Sequence, residues 1–241
     1  MRTFAAVASL AALLAACGDS STPSTPGAKG GTETPSAAPP SATAAAAATP
    51  APATPAAGEQ GGTSDWRQVA SPADASALGR LDQAWRLARA EAEDAGFAEQ
   101  VESLGPLVDP NAGQAGRLQP APGAYRCRTI KVGAKSPGGL AYVAYPGFRC
   151  TVELTPGGDL VLTKTTGSQR SRGLLYPDTD RRLVFVGAQA WGADETGYPA
   201  YGQMPERDQI GVFERIGPER WRLVIPWPKQ EAKLEILELT R

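Results

Sequence analysis

From Gly123 to the C-terminus the chain is a succession of short extended runs separated by turn-forming residues, and no other feature narrows the fold as much. The runs cover 124–132, 140–145, 148–154, 160–165, 173–176, 182–189, 209–216 and 221–225, with 234–239 as a ninth that can replace the shortest. Between them lie Thr155-Pro-Gly-Gly-Asp159, Pro177-Asp-Thr-Asp180, Gly217-Pro-Glu219 and Pro226-Trp-Pro228, where proline presets φ and glycine admits positive φ. Short strands at this spacing predict a mainly β protein, an antiparallel barrel or sandwich. A barrel of about eight strands leaves no free edge, so it is the expected form, similar in outline to the calycin and lipocalin architectures. Polar and apolar residues alternate in Arg220-Trp-Arg-Leu-Val224 and Leu234-Glu-Ile-Leu-Glu-Leu239, which predicts one wet and one dry sheet face.

Two of the three cysteines sit in these runs, Cys127 in the first and Cys150 in the third. A turn near Gly138, within Gly133-Ala-Lys-Ser-Pro-Gly-Gly139, places Cys127 directly opposite Cys150, so a cross-strand disulfide is expected. The third, Cys17, follows Met1-Arg2 and an apolar run from Phe4 to Ala16 that ends in Leu14-Ala-Ala-Cys17. That pattern reads as a secretory signal over 1–16, too short to span a bilayer as a stable helix. Its ending resembles the bacterial lipobox, which implies that Cys17 becomes the lipidated first residue of a membrane-anchored lipoprotein. Gly18 rather than Asp after Cys17 leans towards the outer membrane, facing the periplasm. Export also supplies the oxidising compartment in which a Cys127–Cys150 pair persists.

Residues 17–63 are almost all Ala, Pro, Thr, Ser and Gly, with too few large apolar groups to offset ordering entropy. They read as a disordered tether that reaches about 140 Å at roughly 3.1 Å per residue. A helical segment over 64–120 and the barrel over 121–241 complete the domain plan. Ser71-Pro72-Ala-Asp74 supplies an N-cap and a first-turn proline. Leu78, Leu81, Trp85, Ala88, Ala92 and Ala95 then line one face of a single amphipathic helix ending near Gly96, followed by a shorter helix over 97–104.

The sequence contains no histidine, which excludes Ser-His-Asp and Cys-His catalysis and histidine metal ligands. Of 24 basic residues only Arg2 and Lys29 precede Ser64, and of 25 acidic residues only Asp19, Glu33 and Glu59 do, leaving 22 of each. A neutral body carries no nucleic-acid footprint. The densest polar run, Lys164-Thr-Thr-Gly-Ser-Gln-Arg170 through Arg172, offers Lys164, Thr166, Ser168, Gln169, Arg170 and Arg172 to an anionic group, or else forms a polar hairpin turn. A second cluster, Glu206, Arg207, Asp208 and Gln209, closes the long 192–205 loop, which carries Tyr198 and Tyr201; its alternative is a structural ion-pair network of the carboxylates with Arg170, Arg181 or Arg182. Trp221 and Trp227 are expected to cap the barrel core.

Tyr125-Arg-Cys-Arg-Thr-Ile-Lys131, Val143-Ala-Tyr-Pro146 with Phe148-Arg-Cys150, Thr165-Thr-Gly-Ser-Gln-Arg170, Leu175-Tyr-Pro-Asp178, Glu206-Arg-Asp-Gln209, Glu214-Arg-Ile-Gly217 and Arg220-Trp-Arg-Leu-Val224 resemble the DUF4893 family. These are exported proteins of alphaproteobacteria of the sphingomonad kind. The resemblance runs from about Trp66 to Leu239 and implies no activity, cofactor, metal or catalytic residue. The expected function is that of an envelope-tethered, monomeric, non-enzymatic barrel that binds a small anionic ligand or an envelope protein. Inhibition of an envelope hydrolase, such as lysozyme or a protease, is the alternative. A histidine-free enzyme using carboxylates with Lys164 or arginines is a third reading, and it requires Glu206, Asp208 and Lys164 to converge.

Overall fold

The computed structural model describes residues 63–145 and 147–241; the signal segment, Cys17 and the tether up to residue 62 lie outside them. Ser71 opens the helical segment, its hydroxyl accepting from the Asp74 amide at 3.1 Å while Pro72 takes the first helical turn. The single helix expected from periodicity is two. Helix α1 (Pro72–Gly79) stops at Arg80, with φ −104° and ψ 22°, and α2 (Leu81–Ala92) starts immediately after it. Tertiary packing offsets the interrupted ladder: Trp227 Nε1 donates to the Arg80 carbonyl at 3.3 Å, and the Arg80 guanidinium lies 5.3 Å from the Trp227 ring centre. A wide turn at Gly96, φ 90°, then leads to α3 (Ala98–Glu102).

Nine strands follow: β1 (Gly123–Ala134), β2 (Tyr142–Ala144), β3 (Phe148–Leu154), β4 (Leu160–Lys164), β5 (Gln169–Pro177), β6 (Leu183–Trp191), β7 (Asp208–Gly217), β8 (Arg220–Pro226) and β9 (Ala232–Thr240). From β3 to β9 each strand pairs antiparallel with the next, β3 pairs with β1, and β9 returns to β1. Eight strands thus close into a barrel. β2 pairs with β1 only at Ile130–Val132, beyond the reach of β3, and forms a flap on the same side. The short run at 173–176 is the far end of β5, whose first residues escape the strand pattern because the inward-facing Gln169 and Ser171 are polar.

The disulfide forms, but in a different register from the expected one. Cys127 stands opposite Phe148 and Cys150 opposite Tyr125, so the half-cystines are diagonal neighbours with a Cα–Cα distance of 6.0 Å. A shift of two residues keeps every side chain on its original face, which is why the pairing survives the change. The shift arises because the turn closes between Ser136 and Gly139, whose amide donates to the Ser136 carbonyl at 3.0 Å, and so is centred one residue earlier than expected.

Two apolar cores result. Inside the barrel, Val152, Leu162, Leu175, Phe185, Phe213, Leu223 and Leu239 pack with the disulfide. Trp221 closes the lower end, donating from Nε1 to the Leu118 carbonyl at 2.8 Å and meeting Tyr125 edge-on at 5.8 Å. Trp227 does not share that role; it packs outside, against the helical segment. Gly173 and Gly187 face each other, and a Cβ on Gly187 would stand 2.5 Å from the Gly173 Cα and 2.7 Å from the Phe185 ring, so the ring takes the space both glycines leave.

The second core lies outside the barrel, where Trp85, Ala88 and Ala92 of α2 meet Ile130, Val132, Val224, Leu234 and Ile236. Here α2 approaches so closely that a Cβ on Gly133 would stand 2.7 Å from the Ala88 Cα, and the Gly133 φ of +69° also favours glycine. The wet face expected of β8 and β9 is therefore covered. Arg222 is fully buried on it: Nε donates to Glu214 Oε2 at 2.8 Å, and Nη1 donates to the carbonyls of Pro106, Leu107 and Asp109 at 3.0, 3.0 and 2.7 Å. One guanidinium thus fastens the end of the helical segment to the barrel.

Replacing Arg222 by Leu leaves Glu214 and three carbonyls without their donor and is expected to cost about 3–5 kcal/mol in urea denaturation. Cys150→Ser opens a loop of sequence separation 23 and is expected to cost about 2–4 kcal/mol in the same measurement.

Candidate ligand-binding mouth

Alternating strand direction gathers the ends of β1, β4, β6 and β8 and the starts of β3, β5, β7 and β9 at one mouth of the barrel. The inward rows that are apolar below turn polar here. Thr129 and Lys131 continue the row of Tyr125 and Cys127, Lys164 continues that of Leu160 and Leu162, and Gln189 continues that of Leu183 and Phe185. Gln169, Gln209 and Glu235 open the rows that run down to Leu175, Phe213 and Leu237. Sheet parity alone therefore puts two ammonium groups, a carboxyl group and several amides in the upper interior.

Lys131 is the hub. Its Nζ reaches across the barrel to donate to Gln169 Oε1 and Glu231 Oε2, each at 2.5 Å, and lies 3.8 Å from Glu235 Oε2. Burial pushes the Glu235 carboxyl above its usual range, opposed by the charges of Lys131 and Lys164. Lys164 has another environment: Nζ donates to the Gln169 carbonyl at 2.8 Å and sits 3.8 Å from the Phe148 ring centre. Desolvation brings its pKa down from 10.5 to about 8; Glu235 pulls the other way, while Lys131 and Arg170 add to the fall. Among the described residues, Thr129 Oγ1 and Gln209 Oε1 are buried in this half without a hydrogen-bond partner.

Two cavities open beside these groups. One of about 120 Å³ is lined by Thr129, Lys131, Tyr145, Phe148, Lys164, Ser168, Gln169 and Glu231. Another of about 300 Å³ shares Lys131, Tyr145 and Glu231 and continues along Lys135, Ser136, Gly139, Leu140 and Val143 of the β1–β2 flap.

The helical segment holds the rim of this mouth. Asp74 accepts from Tyr201 Oη at 2.6 Å and Ser71 Oγ at 2.8 Å, and from Lys229 Nζ at 2.8 Å, so α1 joins the 192–207 and 227–231 loops. Burial pushes Asp74 upward, but these hydrogen bonds outweigh it and hold the carboxyl below its usual range. Burial and the Asp74 bond take Tyr201 up to about 12.

Of the residues singled out from the sequence, Lys164, Ser168 and Gln169 meet in the smaller cavity. Thr166 does not join them; its hydroxyl accepts from the Arg149 amide at 3.0 Å and shapes the turn. Arg170 donates to the carbonyls of Gly192 and Glu195, and Arg172 lies 5.9 Å from the Tyr198 ring centre. Glu206 and Arg207 border a narrow cleft on the other side of Glu235, with Arg207 paired to Glu195 at 2.6 Å. Asp208 has the opposite parity to Gln209 and accepts from the Gly202 amide at 2.9 Å, so it does not converge with Lys164. The arginine partners expected for Glu206 and Asp208 are engaged elsewhere, Arg182 with Asp178 at 2.7 Å and Arg170 with backbone.

Lys131, Glu231, Glu235, Gln189 and Thr129 escaped the sequence reading. The signal for two of them was present: Thr129 and Lys131 have the parity of Cys127, which the disulfide fixes on the inner face.

Residues 66–239 match the family described as Domain of unknown function (DUF4893). The chain belongs to this family. No curated protein and no solved structure matches it. In this DUF4893 domain the matched span includes the whole helical segment from Trp66 and every lining residue of both mouth cavities.

The Lys164 environment sets a pH signature. In the unfolded chain the ammonium persists up to 10.5, whereas in the folded barrel it loses its proton near 8. The unfolded state therefore binds more protons between these values, and stability rises with pH across that window. The stability of Lys164→Met relative to the wild type is expected to fall by up to roughly 3 kcal/mol as pH goes from below 8 to 10.5. Urea denaturation of both proteins across that range measures it, and a constant difference would contradict the burial of a charged Lys164.

Proposed function

We propose that this DUF4893 domain is a non-enzymatic binding barrel, tethered to the bacterial envelope through a lipidated Cys17, whose polar mouth takes a small anionic ligand. One observation carries the reading. Lys164 is a buried ammonium beside a cavity, and among the described residues no carboxylate lies within ion-pair distance of it, whereas Lys131, Lys229 and Lys233 each have one. Holding a charge out of water without an ion-pair partner costs several kcal/mol, and an anion entering the cavity recovers part of that. The surrounding donors suit such a guest: the Thr129 and Ser168 hydroxyls and the Lys131 ammonium line the same space.

The enzymatic alternative expected from the sequence requires Glu206, Asp208 and Lys164 to converge, and they do not. Asp208 is committed to Gly202 away from the cavity, and Glu206 borders a different cleft from Lys164. In this reading the lipidated Cys17 holds the barrel at the outer membrane, facing the periplasm. That placement draws on the lipobox-like ending at Cys17 and on Gly18.

Calorimetric titration of the domain with acetate and with inorganic phosphate tests the reading. Binding is expected for the wild type at pH 7, to weaken as pH passes about 8, and to drop at least about tenfold (1.4 kcal/mol) in Lys164→Met. Equal affinity in Lys164→Met, or no anion binding at millimolar concentration, would overturn it.

A further inference from the structure

Among the described residues, Glu231 is the one acidic side chain that lines both mouth cavities, and it reaches inward from the rim loop between β8 and β9. Its side chain is about half exposed, at 51%. Its two oxygens are nevertheless held in a fork: Oε2 accepts from Lys131 Nζ at 2.5 Å and Oε1 from Gln169 Nε2 at 3.0 Å. Lys131 lowers the Glu231 pKa, so the group is a carboxylate at neutral pH. The backbone beneath it has φ 63°, a conformation that a non-glycine residue adopts rarely and at a cost. A strained rim residue is thus kept in place by donors that belong to the barrel interior.

We infer that Glu231 occupies the seat of a ligand carboxylate, and that the ligand of this barrel is a small monocarboxylate with an apolar tail that displaces it. This rests on the reading of the mouth as an anion site and adds the ligand class. The donor set favours a carboxylate over a tetrahedral anion: one ammonium and one amide meet the two oxygens of a planar group, as they do for Glu231 itself. The tail is argued from the larger cavity, which starts at Lys131 and Glu231 and runs for about 300 Å³ along Leu140, Val143 and Tyr145. Leu140 is 70% exposed on this flap, a large apolar side chain that the protein itself leaves uncovered. An aliphatic or aromatic tail lying there buries it while the carboxylate takes the Lys131–Gln169 fork. Glu231 then swings to solvent, which its place on the rim permits, and the fork exchanges one carboxylate for another with no change of charge at Lys131.

The built-in competitor makes a testable prediction, because removing it should tighten the ligand it imitates and not every anion. Glu231→Ala vacates the seat, and Glu231→Gly also relieves the positive φ, so at least one variant is expected to keep the wild-type melting temperature. Titrations use hexanoate, acetate and inorganic phosphate with the wild type and both variants. The expected result is a gain of about tenfold or more for hexanoate, corresponding to 1.4 kcal/mol, with phosphate changing little and hexanoate bound more tightly than acetate. Unchanged or weaker hexanoate binding in folded variants would overturn the inference. So would an equal gain for phosphate, which would mean that only a negative charge had been removed. Both outcomes leave the anion site standing; absence of any anion binding in wild type and variants alike would remove both.

Discussion

Everything in the structure depends on the pairing of β1 with β9, which runs from Arg126 opposite Thr240 to Ala134 opposite Ala232 and closes the sheet on itself. Closure fixes for every strand which residues face inward, and an eight-stranded ring is only wide enough for side chains to fill. In the lower half those residues are apolar and carry the disulfide. In the upper half the same rows deliver Thr129, Lys131, Lys164, Gln209 and Glu235, all buried, with the half-buried Gln169 at the mouth. Groups placed this way must satisfy one another or wait for a partner. Lys131 is satisfied by Gln169 and Glu231, and Lys164 has no carboxylate within ion-pair distance among the described residues, only the more distant charge of Glu235.

The helical segment is part of this arrangement and not an appendage. Arg222 ties the 106–109 stretch to the outer wall, and Asp74 joins α1 to Tyr201 and Lys229 on two of the mouth loops. Lys229 lies two residues from Glu231, so the loop that carries the rim carboxylate is positioned by the N-terminal helices. Rigidity at the rim, strain at Glu231 and incomplete polar satisfaction within the barrel thus meet at one end. Departures from locally consistent sequence and structure concentrate where function is expected.

The strands were legible because turn chemistry and short extended runs are local signals, and all nine candidate runs appear as strands or strand ends. The register of β1 against β3 was not, since Gly133 to Gly139 offers several turn-forming residues and only the closure of Gly139 on Ser136 selects among them. The break at Arg80 was invisible because its compensation comes from Trp227, 147 residues away. In β8 and β9 the alternation was real but its meaning was not, because Arg222 and Glu238 sit on the face that the sequence makes polar and tertiary partners cover. The polar run at Lys164–Gln169 marked the mouth at which Lys131 and Glu235 also lie, while those two were hidden in strands that read as ordinary amphipathic ones. What sequence patterning lacks is the identity of the opposite wall: the Lys131 to Gln169 contact joins strands that are neighbours neither in sequence nor in the sheet.

The central claim is that Lys164 is held as a buried cation awaiting an anion. Heteronuclear NMR of the lysine side chains, following the Lys164 resonances against pH with and without saturating acetate, tests it most directly. The account predicts a titration midpoint near 8 in the free barrel, moving upward when acetate binds because the anion stabilises the ammonium. A midpoint near 10.5, the ordinary lysine value, with no response to acetate would contradict it.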